Sequence, residues 1–168
     1  GEYLTKYQIK SITVDPWLIT VKQASSLTQQ VVLQPFKEDT FNDWWLDRPS
    51  PSKEKAFLLD IIYSGVTAKD KITQITCMVQ QPLLLSMCGD ICWLLNIRGN
   101  DVPYTPLLQS MGVLDTSGHV HVFLDLDKIT PELVDHFQGI ATFHSEDKFI
   151  EFIHNIPVLR YDPAQTPY

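Results

Sequence analysis

Long hydrophobic runs are missing from this chain: the longest apolar stretches, Ile91 to Leu95 and Val120 to Leu124, fall far short of the roughly 20 residues that cross a bilayer. No membrane partner is expected. A basic stripe is missing too, because 13 Lys and Arg are scattered among 20 Asp and Glu, for a formal charge of −7. Nucleic-acid binding rests on neutralising phosphates with clustered cations, so nucleic acid is an unexpected partner. Three cysteines, Cys77, Cys88 and Cys92, are an odd number and too few for a disulfide framework, which fits reduced thiols in a cytoplasm. The N-terminal GEYLTKYQIK lacks the basic start and apolar run of a signal peptide. There is no P-loop, dinucleotide fingerprint, H-E-x-x-H or G-x-S-x-G elbow, so the standard catalytic motifs are absent.

What is present is an ordinary globular balance, with 44% hydrophobic and 20% charged residues in 168. The proline- and charge-rich stretch Asp47 to Lys55 favours extended backbone and separates two regions. Before it, Ser11 to Val14 and Val31 to Gln34 read as strands around a helix near Thr20 to Gln29. This βαβ-like fragment has too few strands for an independent sheet, so it is expected to be the tail of a preceding domain or to lean on the second region. After the join, Thr67 caps a helix with Ile72, Ile75 and Val79 on one face, ending near Gln80. Leu83 to Met87 reads as a buried strand, and Asp90 to Asn96 as a helix stopped by Gly99. Asp115 to Gly118 is a hairpin turn between Leu107 to Leu114 and His119 to Leu124. Helices start at Thr130-Pro131-Glu132 and Ser145-Glu146-Asp147, and Ile140 to Phe143 and Val158 to Tyr161 are further strands. The pattern predicts a three-layer α/β/α domain around a mixed sheet of about five strands.

Several clusters could carry chemistry. His119 and His121 share one face of a strand, as two ligands of one metal would, although alternating polar residues also describe a half-solvated strand. Asp125 and Asp127 at that strand's end could share a hard cation, or be ordinary solvated turn residues. Cys88 and Cys92 fall on one helix face without the second pair a structural zinc needs. Trp44 and Trp45 are candidates for interdomain packing. The stretch Asp90 to Pro106 joins an apolar helix, a glycine turn and a proline-bounded loop, placing Arg98 near Asp101, where the arginine fork could hold the acid and nearby carbonyls. A structural role is preferred there over contact with a substrate.

That same stretch carries a resemblance. The pattern I-x-W-L-L-N-x-R-G-x-D from Ile91 to Asp101, with Trp93, Asn96, Arg98, Gly99 and Asp101, resembles a signature in the second domain of the three-domain aminopeptidase P enzymes of the creatinase/prolidase superfamily. Trp45-Leu-Asp-Arg-Pro49, Tyr63-Ser-Gly65 followed by Lys69-Asp-Lys71, and Leu159-Arg-Tyr-Asp-Pro163 fall in the order of the same proteins. Val14-Asp-Pro16 is similar to the late part of their first domain. The resemblance implies that residues 1–47 end a first creatinase-like domain and that residues 48–168 form a second, creatinase N-terminal-like domain with a ribonuclease H-like fold.

It further implies a parent that removes the N-terminal residue before proline using two metal ions, usually manganese, in a C-terminal pita-bread domain. That domain's ligands, two aspartates, a histidine and two glutamates, have no counterpart here, so no catalytic, cofactor or metal residue is carried over. Arg98 does not correspond to the first-domain arginine credited with substrate contact, which would lie upstream of Gly1. The expectation is a noncatalytic, cytoplasmic, cleft-shaping piece whose partners are the catalytic domain of its own polypeptide and, through the parent, proline-second peptides, in a homo-oligomer. Two alternatives remain: an interaction module using Trp44, Trp45 or the Pro103 to Pro106 loop, and a small metal-dependent hydrolase using His119, His121, Asp125 and Asp127.

Overall fold

The computed structural model of the chain describes residues 2–36 and 45–168. They divide into two compact units, Gly1–Ser50 with Asp162–Tyr168, and Pro51–Tyr161.

In the first unit, helix α1 spans Glu2–Lys6, strand β1 Ser11–Val14, helix α2 Val21–Leu27 and strand β2 Val32–Pro35. The two strands pair in parallel, the geometry that a βαβ reading demands. Helix α2 starts where it does because Thr20 and Gln23 form a capping box: the Thr20 hydroxyl accepts from the Gln23 amide at 3.2 Å, and the Gln23 side chain accepts from the Thr20 amide at 2.8 Å. Two more first-turn amides, of Val21 and Lys22, donate to the carbonyls of Thr166 and Pro163, so the end of the chain completes what the cap leaves free.

The second unit is built on a four-stranded sheet in the order β4 (Leu83–Leu85), β6 (Met111–Leu114), β7 (Val120–Leu124), β8 (Ala141–Ser145). The first two pairings are antiparallel and the last is parallel, which makes the sheet mixed. Beside it, β3 (Phe57–Leu58) pairs antiparallel with β5 (Ile97–Arg98). The helices are α3 (Ile61–Ser64), α4 (Ala68–Met78), α5 (Cys88–Leu95), α6 (Pro131–His136) and α7 (Phe149–His154). Their starts follow local chemistry: Asp60, Thr67 and Thr130 side chains each accept a first-turn amide.

Period-two alternation sorts the strand residues onto two faces. Leu85, Leu114, Val120, Val122, Leu124 and Ala141 pack with Ile72 of α4, Ile91, Leu94 and Leu95 of α5, and Leu133 and Phe137 of α6 and its end. Leu84, Val113 and Phe123 point the other way, against Phe149, Phe152 and Ile153 of α7. Helices therefore cover both sides, and the unit is the expected three-layer α/β/α arrangement.

Two local expectations are corrected. Residues Val158 to Tyr161 do not form a strand; Arg160 alone bridges Leu83, through Arg160 N to Pro82 O and Leu84 N to Arg160 O, each at 2.8 Å. Pro82 has no amide to donate to the Val158 carbonyl, the next bond of the ladder, which leaves the fifth strand position as a single bridge. Helix α5 is stopped by Asn96 rather than Gly99: Asn96 takes the left-handed conformation at φ 54°, which asparagine tolerates better than most residues.

Candidate functional site

The signature segment lies at the C-terminal end of α5, which finishes inside the core: Ile91, Leu94, Leu95 and Ile97 are fully buried. A helix leaves its last four carbonyls without intrahelical partners, and in an apolar surround each needs a donor. Two cations supply donors to two of them, the carbonyls of Cys92 and Trp93. Lys71, buried on α4, donates from Nζ to the Trp93 carbonyl and to Asn96 Oδ1, both at 2.5 Å, and sits 4.6 Å from the centroid of the Trp93 ring. Arg98 folds back so that Nη1 donates to the carbonyls of Cys92, at 2.5 Å, and Ile97, at 2.9 Å. Both charges stand at the negative end of the helix dipole. Burial, and then the nearby Arg98 charge, hold the Lys71 ammonium below its ordinary pKa. Asn96 closes the group by donating to the Val66 carbonyl at 2.8 Å.

The segment then runs against the 107–109 stretch. A β-carbon at Gly99 would meet the Leu108 Cα at 3.0 Å and the Leu107 carbonyl at 3.1 Å, so backbone contact is the reason for glycine there. Cys92 Sγ accepts from the Leu108 amide at 3.3 Å, and burial raises the pKa of this thiol, as for an inert core cysteine. Asp101 Oδ1 pairs with Lys128 Nζ at 2.7 Å, with side chains 1% and 4% exposed, and Oδ2 accepts from the Gln109 amide at 2.7 Å. The expected Arg98 to Asp101 pairing is therefore replaced. The arginine is spent on the carbonyls of Cys92 and Ile97, and the acid takes Lys128 from the turn after β7. Trp93 is 53% exposed, with its ring over Lys71.

The other candidates are placed as follows. His119 and His121 do share a face, but His119 Nε2 bonds the Thr142 hydroxyl at 2.8 Å, while His121 Nδ1 faces His144 Nε2 at 3.2 Å. Asp115 lies 3.7 Å from His121 Nε2, and Phe152 stacks beside it. Burial, then the neighbouring imidazoles, push His121 below its ordinary pKa; burial and His119 do the same for His144. Asp125 is a turn cap, accepting from the Asp127 amide at 3.0 Å, and the Asp127 carbonyl accepts from Lys55 Nζ. Among the described residues no three His, Cys, Asp or Glu converge as a metal-ligand set. Trp45 is exposed; Trp44 lies outside the described residues.

Against known proteins, the Creatinase/Prolidase N-terminal domain family matches residues 47–168, most of the chain and all of the signature segment. The chain belongs to this creatinase/prolidase family, on its aminopeptidase P branch. The probable Xaa-Pro aminopeptidase P of Aspergillus fumigatus is 33% identical over 137 residues, 76% of this chain and 21% of the relative. That of Leptosphaeria maculans is 28% identical over 151 residues, 84% of this chain and 25% of the relative. The solved X-prolyl aminopeptidase of Caenorhabditis elegans, described as a cytosolic enzyme with a di-nuclear active site, superposes with a TM-score of 0.83 at 25% identity, over 91% of this chain and 27% of that one. The chain thus spans about a fifth to a quarter of the length of these relatives. For the di-nuclear metal chemistry of that relative, the donor sets described above offer no fit.

Sequence reasoning found the signature residues but missed the lysines that hold them. Lys71 stood in the Lys69-Asp-Lys71 match, and its one available signal was a cation on the apolar face of α4, one residue before Ile72. Nothing in the sequence linked Lys128 to Asp101.

Two outcomes follow for this creatinase N-terminal-type domain. Replacing one partner of the buried pair, Lys128→Met or Asp101→Leu, should cost about 3–5 kcal/mol in chemical denaturation, and the double variant should recover most of it. Additive losses would show that the two groups do not interact. The histidines set an acid limb. Because His121 and His144 titrate below the unfolded value of about 6.5, the unfolded chain binds more protons in that window, so stability falls as pH drops below about 6.5 and the loss levels off beneath the folded values. Urea midpoints at pH 7.5 and 5.5 should differ less in His121→Gln/His144→Gln than in the parent sequence; equal differences would contradict the assignment.

Proposed function

We propose that this chain is a noncatalytic N-terminal region of a metal-dependent Xaa-Pro aminopeptidase, which shapes the substrate cleft while another domain of the same polypeptide hydrolyses the bond before proline. The observation that carries the reading is the use made of the signature residues. Asn96, Arg98, Gly99 and Asp101 are the most enzyme-like feature of the sequence, and each is occupied in holding the end of α5 or the loop after it. The bonds that these residues make run to internal carbonyls, a neighbouring amide and a buried ion pair rather than outward to a peptide. Their work is architectural: they fix a rigid wall. Such a wall restricts which peptides enter and how much water accompanies them, without taking part in bond breaking.

On this reading residues 1–47 end a preceding domain and residues 48–168 form the second. The parent acts in the cytoplasm as a homo-oligomer on peptides with proline second, and two manganese ions lie in its catalytic domain. The relatives' lengths, their names and the di-nuclear centre of the nematode enzyme support the reading. The interaction-module alternative has one feature in its favour, the exposed Trp45.

The test compares the 168-residue chain with the longer polypeptide that contains it, on a proline-second peptide with manganese. The chain alone should show neither turnover nor saturable manganese uptake by calorimetry, and the longer polypeptide should show both. Turnover by the chain alone would overturn the proposal.

A further inference from the structure

The α7 side of the main sheet carries a pair of imidazoles remote from the signature group. His121 on β7 and His144 on β8 are diagonal neighbours across a parallel pairing, in which Thr142 stands opposite His121 and Phe123 opposite His144. His121 Nδ1 lies 3.2 Å from His144 Nε2. Aromatic neighbours hold both rings: the Phe152 ring of α7 is 4.6 Å from His121 and 5.8 Å from His144, centroid to centroid, and Phe123 stacks on His144 at 5.0 Å. Both histidines are half-buried, so the pair is packed and still reaches solvent.

A carboxylate stands behind the pair. Asp115 Oδ1 accepts from the amides of Ser117 and His119, at 2.8 and 2.9 Å, and from the Ser117 hydroxyl at 2.6 Å, which locks the group in place. Its other oxygen, Oδ2, faces His121 Nε2 at 3.7 Å. The negative charge there favours the tautomer with its proton on Nε2 and leaves the Nδ1 lone pair of His121 directed at His144. Carboxylate, then imidazole, then ion is the order in which metal-binding histidines are set, because the carboxylate fixes the ring and raises the basicity of its far nitrogen.

The separation fits one ion. Two nitrogens each about 2.0–2.1 Å from a tetrahedral zinc lie about 3.3 Å apart, against 3.2 Å between His121 Nδ1 and His144 Nε2. The ion would sit beside the line joining them, and a turn of each ring about its Cβ–Cγ bond, a soft torsion, aims both lone pairs at it. The proton shared by the two nitrogens then moves to His144 Nδ1. We infer that His121 and His144 form a zinc-binding pair on the α7 side of the sheet, oriented by Asp115 and completed by water. The partner of His121 is His144 rather than His119, whose Nε2 bonds the Thr142 hydroxyl at 2.8 Å. Two protein donors make the site an open one, short of the three-donor sets that are missing among the described residues. Imidazole suits zinc, whereas manganese prefers carboxylate and water, so the pair is separate from the manganese chemistry proposed for the parent and neither reading depends on the other. By joining β7 to the edge strand β8, the ion stabilises the domain through mass action.

Zinc titration of the 168-residue chain tests it. Calorimetry uses a Cys77→Ser/Cys88→Ser background, because those thiols are exposed and half-buried and take up zinc themselves. One equivalent of zinc should bind saturably and manganese should not. His121→Gln and His144→Gln should each abolish the uptake, Asp115→Asn should weaken it at least about tenfold, and His119→Gln should leave it unchanged. In the unsubstituted chain, NMR of the imidazole nitrogens should show zinc moving the His121 Nδ1 and His144 Nε2 resonances, a readout that holds where a variant fails to fold. The absence of saturable zinc uptake overturns the inference. So does uptake that survives either histidine substitution, or that leaves those two resonances unmoved.

Discussion

The second unit depends on how one helix ends. Helix α5 runs into the middle of the core, and its final carbonyls would be stranded in an apolar surround where an unpaired polar group costs about 1–3 kcal/mol. Lys71 from α4 and Arg98 from the strand that follows bring cations to those carbonyls, and Asn96 makes the left-handed exit that lets the chain turn back between them. The arrangement fixes three things together: the docking of α4 on α5, the pairing of β5 with β3, and the path of the loop that delivers Asp101 to Lys128. A buried cation at a helix terminus is costly if its acceptors are lost, so the group is kept or lost as a unit.

On the proposed reading, this dependence gives a segment with the look of an active site a structural role. Arg, Asn and Asp in close succession are a common catalytic inventory, and their spacing alone does not say whether they point at a substrate or at the protein's own backbone. The acceptors that these groups reach favour the backbone. Every polar group of Asn96 and Asp101 that is bonded is bonded within the domain, and Arg98 is turned onto the carbonyls of Cys92 and Ile97. The histidines show the same pattern at a different place. His119, His121 and His144 satisfy one another, Thr142 and Asp115 on the α7 side of the sheet.

Much of the fold could be read from the residues in order. Capping hydroxyls at Thr20, Thr67 and Thr130, the Asp115 to Gly118 turn and the alternation along Val120 to Leu124 are local signals, and the elements they mark are present. The errors arose where a nonlocal competitor decided. Gly99 has the chemistry of a helix stop, but Asn96 reached the left-handed region first, while Gly99 is needed for its close approach to Leu108. Val158 to Tyr161 has strand composition, but Pro82 opposite it lacks the amide that would extend the pairing, and one bridge remains. Arg98 and Asp101 are near in sequence, whereas Lys71 and Lys128 lie 22 to 27 residues from their partners, and no local pattern carries that information.

The central claim is that the signature of this creatinase/prolidase domain acts through stability and placement. Lys71→Met in the longer polypeptide tests it most directly, by separating the melting midpoint from kcat on a proline-second peptide, both measured on protein shown to be folded at the assay temperature. The account predicts a clearly lowered midpoint with kcat within about twofold of the unsubstituted protein, since a group outside the reacting atoms leaves the transition state alone. An unchanged midpoint with kcat reduced about a hundredfold or more would contradict it.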